Sequence, residues 1–501
     1  MERFMSAPDW AKRVAESLGG GPHLVVSGIS PSGNIHAGNL LEVLVAEAVA
    51  NALRERGDDV RFVFHADTID PLRKIAPGIP ASFEEYLGRS LSHIPDPDGE
   101  YESYAERFLA PFEAALREMG MDIEVLRSHE LYEGGVYSDV IRESIEEADD
   151  LRRILMDVSG REMPEEWSPF LPRAANGDIT GNRVIRHLPE ESKVVFVDRG
   201  GNEGVADYSR GEGKLGWRVE LAARWKALGA TFEPFGKDHT SRGGSTDTAD
   251  RMAREVFEYP IPGRYEYEWI GLKGQGAMSS SRGIVLLPKD LLEIMPPDAV
   301  RSLLLPREPS RAFDIDLTGG FPRFMDEYRA RKDGASVPFS HLVTVAQTVG
   351  GDTELAAKML HRGGYEVGEE AALSDDLRYA RNWAEKWAPD SMRMRILDPE
   401  ESKEAAESLD SEQRLYLSEV AGKLDGNMGD GEELQNFLYT TAKEMGVKPK
   451  KAFGAIYTVL IGKKSGPKAG PFVAGLPPEI IHDRFDVPDV VSDTETSGGA
   501  G

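Results

Sequence analysis

Val26-Ser27-Gly28-Ile29-Ser30-Pro31-Ser32-Gly33-Asn34-Ile35-His36-Ala37-Gly38-Asn39 is the stretch on which the reading of this chain turns. The apolar run Leu24 to Val26 predicts a buried strand. The Gly-, Ser- and Pro-rich turn after it lets bare backbone approach a ligand. Leu40, Leu41, Leu44, Val45, Ala48, Val49 and Ala52 then follow at the spacing of one helix face. A strand, a glycine turn and a helix start make a site where exposed N–H groups and the helix dipole favour an anion such as phosphate. His36, at the end of the turn, is placed to donate to a phosphate oxygen as charge develops on it.

The totals set the outer bounds. A length of 501 residues predicts about two to four domains, and 40% hydrophobic with 29% charged residues is ordinary for a globular protein. No apolar run is long enough to span a bilayer. Met1 to Trp10 lacks a basic patch followed by an apolar stretch, so no secretory signal is expected and the expected location is cytoplasmic. The absence of cysteine excludes disulfides and thiolate-bound zinc. The net charge of −27 argues against a general nucleic-acid binder. One region runs against that balance: Lys443, Lys448, Lys450, Lys451, Lys463, Lys464 and Lys468 lie close together, with Glu444 the only acid among them. They read either as a solvated basic face or as a contact for a phosphate backbone.

A second strand is expected at Val60 to Phe64, followed by the polar run His65-Ala66-Asp67-Thr68-Ile69-Asp70-Pro71-Leu72-Arg73-Lys74. Open α/β sheets place ligand contacts just beyond strand ends. Asp67 is suited to an ammonium group, with Asp70 and Arg73 as a supporting pair; a helix cap with a surface ion pair is the other reading. Ser82 to Asp150 reads as helical, and Pro164 to Gly213 as a small β-rich insertion. Lys214 to Arg218 opens a helix, where Trp217 is either core or the wall of a substrate pocket. Thr231 to His239 reads as a strand running into a polar turn, and His239 there is either a site residue or an ordinary surface histidine. Gly271 to Gly283 forms a second glycine- and hydroxyl-rich loop, with Lys273 and Arg282 able to neutralise a polyphosphate. A P-loop motif is absent. Beyond Pro288 the chain reads as largely helical, ending in a polar tail expected to be disordered.

Taken together, the two loops carry a resemblance. His36-Ala37-Gly38-Asn39 resembles the HIGH motif of class I aminoacyl-tRNA synthetases, and Ala277-Met278-Ser279-Ser280-Ser281-Arg282 resembles their KMSKS motif. Gly28-Ile29-Ser30-Pro31-Ser32-Gly33, Leu215-x-Trp217-Arg218, Gly236-Lys237-Asp238-His239 and Tyr267-Glu268-Trp269 narrow this to the class I lysyl-tRNA synthetases. The resemblance runs through most of the chain. It implies an α/β Rossmann-type catalytic domain over 1–285, with a connective insertion at about 125–215. A stem-contact region at 286–374, a helical anticodon-binding domain at 375–487 and a tail at 488–501 would follow.

The implied activity joins L-lysine to tRNA(Lys) through a lysyl-adenylate, with ATP as substrate, Mg²⁺ arriving with it, and transfer to the terminal 2′-hydroxyl. His36, Gly38 and Asn39 would contact ATP, while Met278, Ser279, Ser280, Ser281, Arg282 and Lys273 would cover the nucleotide and the leaving pyrophosphate. Gly28, Ser30, Asp67, Trp217, His239, Tyr267 and Glu268 would form the lysine pocket, acids meeting the ammonium groups and aromatic faces the alkyl chain. Lys450, Lys451, Lys463, Lys464 and Lys468 would hold tRNA.

Three departures from the pattern stand out. Asn39 replaces the second histidine of HIGH, and the KMSKS lysines are replaced by Ala277 and Ser280. The stretch Leu171 to Gly177, where some relatives carry a cysteine zinc knuckle, has no cysteine, so no structural zinc is expected. A glutamate-activating synthetase is the nearest alternative, and Asp67 and Glu268 favour a cationic substrate over it. A small-molecule nucleotidyltransferase shares the H-x-G loop but has no use for a long helical half with a basic end. A tRNA-binding protein without catalysis would not need His36 or Met278 to Ser281.

Overall fold

A computed structural model describes residues 7–160, 162–278, 285–305, 308–332, 337–424 and 431–487. The expected roles of Ser279, Ser280, Ser281 and Arg282, and the expected tail at 488–501, lie outside the described residues. The chain divides into two compact units, Met1–Ile315 and Asp316–Gly501.

The first unit begins with α1 (Asp9–Ser17), β1 (His23–Ile29), α2 (Ala37–Arg56), β2 (Val60–Ala66), α3 (Tyr104–Glu118) and β3 (Glu124–Arg127). Three helices follow, α4 (Ser128–Glu133), α5 (Ser138–Glu146) and α6 (Ala148–Ser159). Then come β4 (Phe170–Pro172), β5 (Arg183–Leu188), β6 (Lys193–Val197), β7 (Glu203–Asp207) and β8 (Gly213–Leu215). The chain returns through α7 (Trp217–Leu228), β9 (Phe235–Gly236), α8 (Lys237–Thr240), α9 (Ser245–Glu255), β10 (Glu266–Tyr267), β11 (Ile270–Leu272) and β12 (Gly276–Ala277). It closes with α10 (Pro288–Leu292), α11 (Pro297–Leu304) and β13 (Phe313–Ile315).

β1 pairs in parallel with β2, Val25 opposite Phe62, and β2 pairs in parallel with β3. On the other side of β1, Val25 bridges Phe232 and Phe232 bridges Gly263, again in parallel. These two segments run on into the parallel pair β9 and β10. The resulting order, β3-β2-β1 followed by the strands of 232–236 and 263–267, is that of a Rossmann-type core.

The stretch Ser82 to Asp150 is not wholly helical, because β3 lies inside it as the third parallel strand. Glu124 to Arg127 is too short to show a period-2 pattern, and it is held by pairing with Val63 to Ala66. The helix after the glycine turn is also more deeply set than a one-faced helix. From Leu40 to Ala50 every position except Glu42 is buried, since α2 packs on β1, β2, α1 and α11. Each fully buried Leu or Val there contributes roughly 1.5–3 kcal/mol. Glu47, buried on this helix, is gripped by Arg301 of α11 through two hydrogen bonds of 2.9 and 2.8 Å.

Between α6 and α7 the chain forms the antiparallel sheet β5-β6-β7, joined to the core through the antiparallel pair β4–β8. The second unit is helical throughout its described elements, from α12 (Phe321–Lys332) and α13 (Phe339–Val349) to its last helix at Pro478–Phe485. Its first core is aromatic: Phe321 stacks on Trp383 at 5.7 Å, and the indole N–H of Trp383 donates to Leu317 O at 2.7 Å.

Gly28 lies close against β2: an added Cβ there would stand 2.5 Å from the carbonyl oxygen of His65. Gly28→Ala is expected to push the strands apart at a cost of about 1–3 kcal/mol. Thermal unfolding followed by circular dichroism reads this as a lowered midpoint; an unchanged midpoint would show that the strands part freely there.

Candidate active site

Chain order reverses in the sheet between β1 and the strand of 232–236, and open α/β sheets bind ligands at the carboxyl ends beside such a reversal. A cavity of about 570 Å³ opens at that point. Its wall takes Gly28, Ile29 and Ser30 from the end of β1, and His36, Gly38, Asn39 and Glu42 from the start of α2. Asp67 and Asp70 enter after β2, and His239, Tyr267, Glu268 and Met278 complete it from later segments. Residues predicted from stretches far apart in sequence therefore share one cavity, Trp217 among them.

The start of α2 turns its first N–H groups to the cavity's edge. The Asn39 side-chain oxygen accepts the His36 backbone N–H at 3.1 Å, which shapes the first turn. The imidazole of His36 lies over Gly38, where a Cβ would come within 3.0 Å of the ring. Burial pulls the His36 imidazole down to about 4, so it is neutral at pH 7. Its Nδ1 is buried and makes no hydrogen bond among the described residues. The groups this part of the wall could offer an anion are the α2 N–H groups, the helix dipole and a neutral imidazole. Lys273 sits exposed at the turn between β11 and β12 and is not part of the cavity wall.

The acidic part of the wall is centred one turn further along α2, on Glu42, a residue the sequence reading does not single out. Glu42 accepts the Gly28 N–H at 3.0 Å and the Tyr267 hydroxyl at 2.6 Å. Burial pushes its carboxyl up to about 7, against the pull of those two donors. The available signal was a carboxylate in an otherwise apolar helical run from Leu40 to Ala46. Asp67 is buried, and its Oδ1 lies 3.1 Å from His65 Nδ1. Burial alone would raise the Asp67 carboxyl; His65, Arg224 and Lys214 outweigh it and hold the group well below the usual carboxylate range.

Behind this wall lies a buried network of charge. Arg224 pairs with Glu233, which also accepts the Trp225 indole N–H at 2.6 Å. Lys214 pairs with Glu220 at 2.6 Å and with Asp70, and Tyr132 donates to Glu220 at 2.8 Å. The expected Asp70–Arg73 pair is therefore corrected: the carboxylate turns inward to buried Lys214, whose charge has no water to solvate it, and leaves Arg73 at the cavity wall. The Trp217 ring meets His239 edge-on at 6.2 Å, with the Arg224 guanidinium carbon 5.8 Å from the indole centroid. Glu268 is paired with Lys237 at the rim.

The family model described as tRNA synthetases class I (K) matches residues 7–347. The chain belongs to this family. It is 39% identical over 496 residues to the lysine--tRNA ligase of Archaeoglobus fulgidus, covering 95% of this chain and 99% of that protein. It is 34% identical over 530 residues to the lysine--tRNA ligase of Methanocaldococcus jannaschii, covering 95% and 99%. Among solved structures, a glutamate tRNA ligase from Elizabethkingia meningosepticum is a distant likeness, with a TM-score of 0.46 at 14% identity over 93% of this chain and 98% of that one.

In the second unit of this class I synthetase the basic cluster is not uniform. Lys450, Lys464 and Lys468 are exposed. Lys451 is paired with Asp410 at 2.7 Å and Glu412 at 2.6 Å, and Lys463 donates to the carbonyls of Asp390 and Arg393. Among the described residues no helix is long and apolar enough to cross a membrane, and no group of three His, Cys, Asp or Glu side chains is arranged to hold a metal.

The raised Glu42 has a pH signature. The unfolded chain ionises this carboxyl in the ordinary range and the folded synthetase only near 7, so its contribution to stability falls as pH rises through that window. Binding of a ligand with a terminal ammonium should move the other way, tightening about tenfold from about pH 6 to about pH 8 as the carboxylate forms. Calorimetric titration across that range checks this; Glu42→Gln should flatten the profile, and an unaltered profile in the variant would remove Glu42 from the ammonium site.

Proposed function

We propose that this chain ligates L-lysine to tRNA(Lys) in two steps, through a lysyl-adenylate. The observation that carries the reading is the mixed lining of one cavity: a neutral histidine at the helix start, together with the carboxylates Glu42 and Asp67 and the Tyr267 hydroxyl, in a chain 39% identical to a lysine--tRNA ligase. Acids in the pocket suit an ammonium-bearing side chain and oppose a second carboxylate, so the glutamate alternative has no observation in its favour.

In the first step the lysine α-carboxylate attacks the α-phosphorus of ATP and pyrophosphate leaves. In the second, the terminal 2′-hydroxyl of the tRNA attacks the acyl carbonyl and AMP leaves. Positioning and charge stabilisation dominate such a reaction. His36 and Asn39, with the N–H groups of α2, take the ATP phosphates and ribose; Gly28 and Ser30 lie between nucleotide and amino acid. Glu42 and Tyr267 receive one ammonium group of lysine and Asp67 the other, with Trp217 and His239 walling the alkyl chain. Met278 lines the cavity toward the nucleotide. Mg²⁺ comes with ATP, held mainly by phosphate and water. The antiparallel sheet between α6 and α7 is the connective insertion, and residues 286–374 and 375–487 are the stem-contact and anticodon-binding regions. There, exposed Lys450, Lys464 and Lys468 meet tRNA phosphates, while Lys451 and Lys463 hold the helical scaffold.

Charging of total tRNA with labelled lysine tests the assignment. ATP–pyrophosphate exchange, with tRNA present, that responds to glutamate and not to lysine would sink it. His36→Ala is expected to lower adenylate formation roughly 100-fold or more, the scale of losing one oriented donor. The paired variant Lys464→Glu with Lys468→Glu should weaken tRNA binding and reduce its salt slope by roughly one for each lysine–phosphate pair removed; binding that keeps its slope would return both lysines to the solvated surface.

A further inference from the structure

Asp67 does not stand alone on its face of the sheet. β2 ends at Ala66, and Asp67 prolongs it, its N–H donating to Ile29 O at 2.9 Å. Residues two apart on an extended chain share a face, so His65 and Asp67 project together. His65 Nδ1 lies 3.1 Å from Asp67 Oδ1 and 3.3 Å from the guanidinium of Arg224 on α7. On the far side of the ring, Nε2 lies 3.0 Å from the hydroxyl of Tyr137. Asp67 lines the substrate cavity, whereas His65 and Tyr137 are fully buried and take no part in its wall.

Tyr137, in the turn before α5, is itself fixed. Its ring stacks on Tyr132 with centroids 4.4 Å apart and planes 16° from parallel. The Tyr132 hydroxyl is committed elsewhere, donating to Glu220 at 2.8 Å and accepting the Leu215 N–H at 3.1 Å. Burial first, then the nearby Glu220 charge, holds the Tyr137 hydroxyl well above the ordinary phenol range, so it keeps its hydrogen.

The imidazole hydrogen can sit on either ring nitrogen, and the neighbours decide which. A bare Nδ1 would set a lone pair against a carboxylate oxygen in a fully buried setting. With the hydrogen on Nδ1 the same contact becomes a hydrogen bond to a charged acceptor, and Nε2 is left to accept from Tyr137. Arg224, the other neighbour of Nδ1, is already paired with Glu233. Hydroxyl, imidazole and carboxylate thus form a chain of three groups whose last member faces the cavity.

We propose that His65, held in one tautomer by Tyr137, is a positioning residue for lysine: it donates to Asp67 and so fixes the carboxylate that receives an ammonium group. The inference rests on the lysine-binding reading above. It adds two residues that touch neither lysine nor ATP.

The test is ATP–pyrophosphate exchange on the full chain with tRNA(Lys) present, reading KM for lysine, KM for ATP and kcat separately. His65→Leu removes the donor and should raise KM for lysine about tenfold, the scale of one hydrogen bond to a charged group, with KM for ATP unchanged. His65→Asn returns an amide N–H near the place of Nδ1 and should recover most of the lysine affinity; a histidine that only fills space would not distinguish Asn from Leu. Tyr137→Phe keeps the ring and its stacking, and should raise KM for lysine about threefold, the scale of one neutral hydrogen bond. It decides the matter where His65→Leu fails to fold. An unchanged KM for lysine in His65→Leu or Tyr137→Phe, parallel rises in both KM values, or a His65→Asn variant no better than His65→Leu overturns the proposal. Wild-type protein whose exchange does not respond to lysine would reject the parent reading instead.

Discussion

Two cations, Lys214 and Arg224, are buried beneath the substrate cavity, and the arrangement around it depends on their being matched. An unpaired charge in a protein interior costs far more than any single contact returns. Lys214 is met by Asp70 and Glu220, and Arg224 by Glu233 with Asp67 at 3.8 Å. These partners come from the end of β2, from α7 and from the strand of 232–236, so neutralising two side chains brings three segments into register. Removing one member of such a set costs about 3–5 kcal/mol, because the remaining charges are left without solvent. The network also keeps Asp67 ionised where burial alone would protonate it.

The cavity brings two kinds of group together: the first N–H groups of α2 with a neutral His36, and the carboxylates of Glu42 and Asp67. Under the proposed assignment the first meet phosphate and the second ammonium. A cationic His36 would have blurred that division by attracting carboxylates and phosphates alike. Burial removes its charge, which under the proposed assignment leaves donor geometry to meet phosphate and the carboxylates to meet ammonium.

What could be read from sequence was what is local. The run from Leu24 to Asn39 announced strand, turn and helix because each signal lies within a few residues, and the cavity is built on it. Trp217, His239 and Tyr267, which share the cavity wall with Gly28, are joined to it in sequence only through the resemblance, since nothing in their own neighbourhoods links them. β3 escaped because four residues carry no period, and pairing with β2 makes it a strand. Asp70 was assigned its nearest cation, Arg73, whereas its partner lies 144 residues away in β8. Glu42 was hidden by its setting: a helix expected to show one apolar face is buried nearly all round, so its acids are enclosed rather than solvated.

β8 has a second attachment. It is one half of the β4–β8 pair through which the antiparallel sheet β5-β6-β7 joins the core, and it carries Lys214. The tether of that sheet is thus fastened by an ion pair to Asp70 of the cavity wall, so the position of one wall carboxylate and the attachment of the sheet are set by the same residue, Lys214.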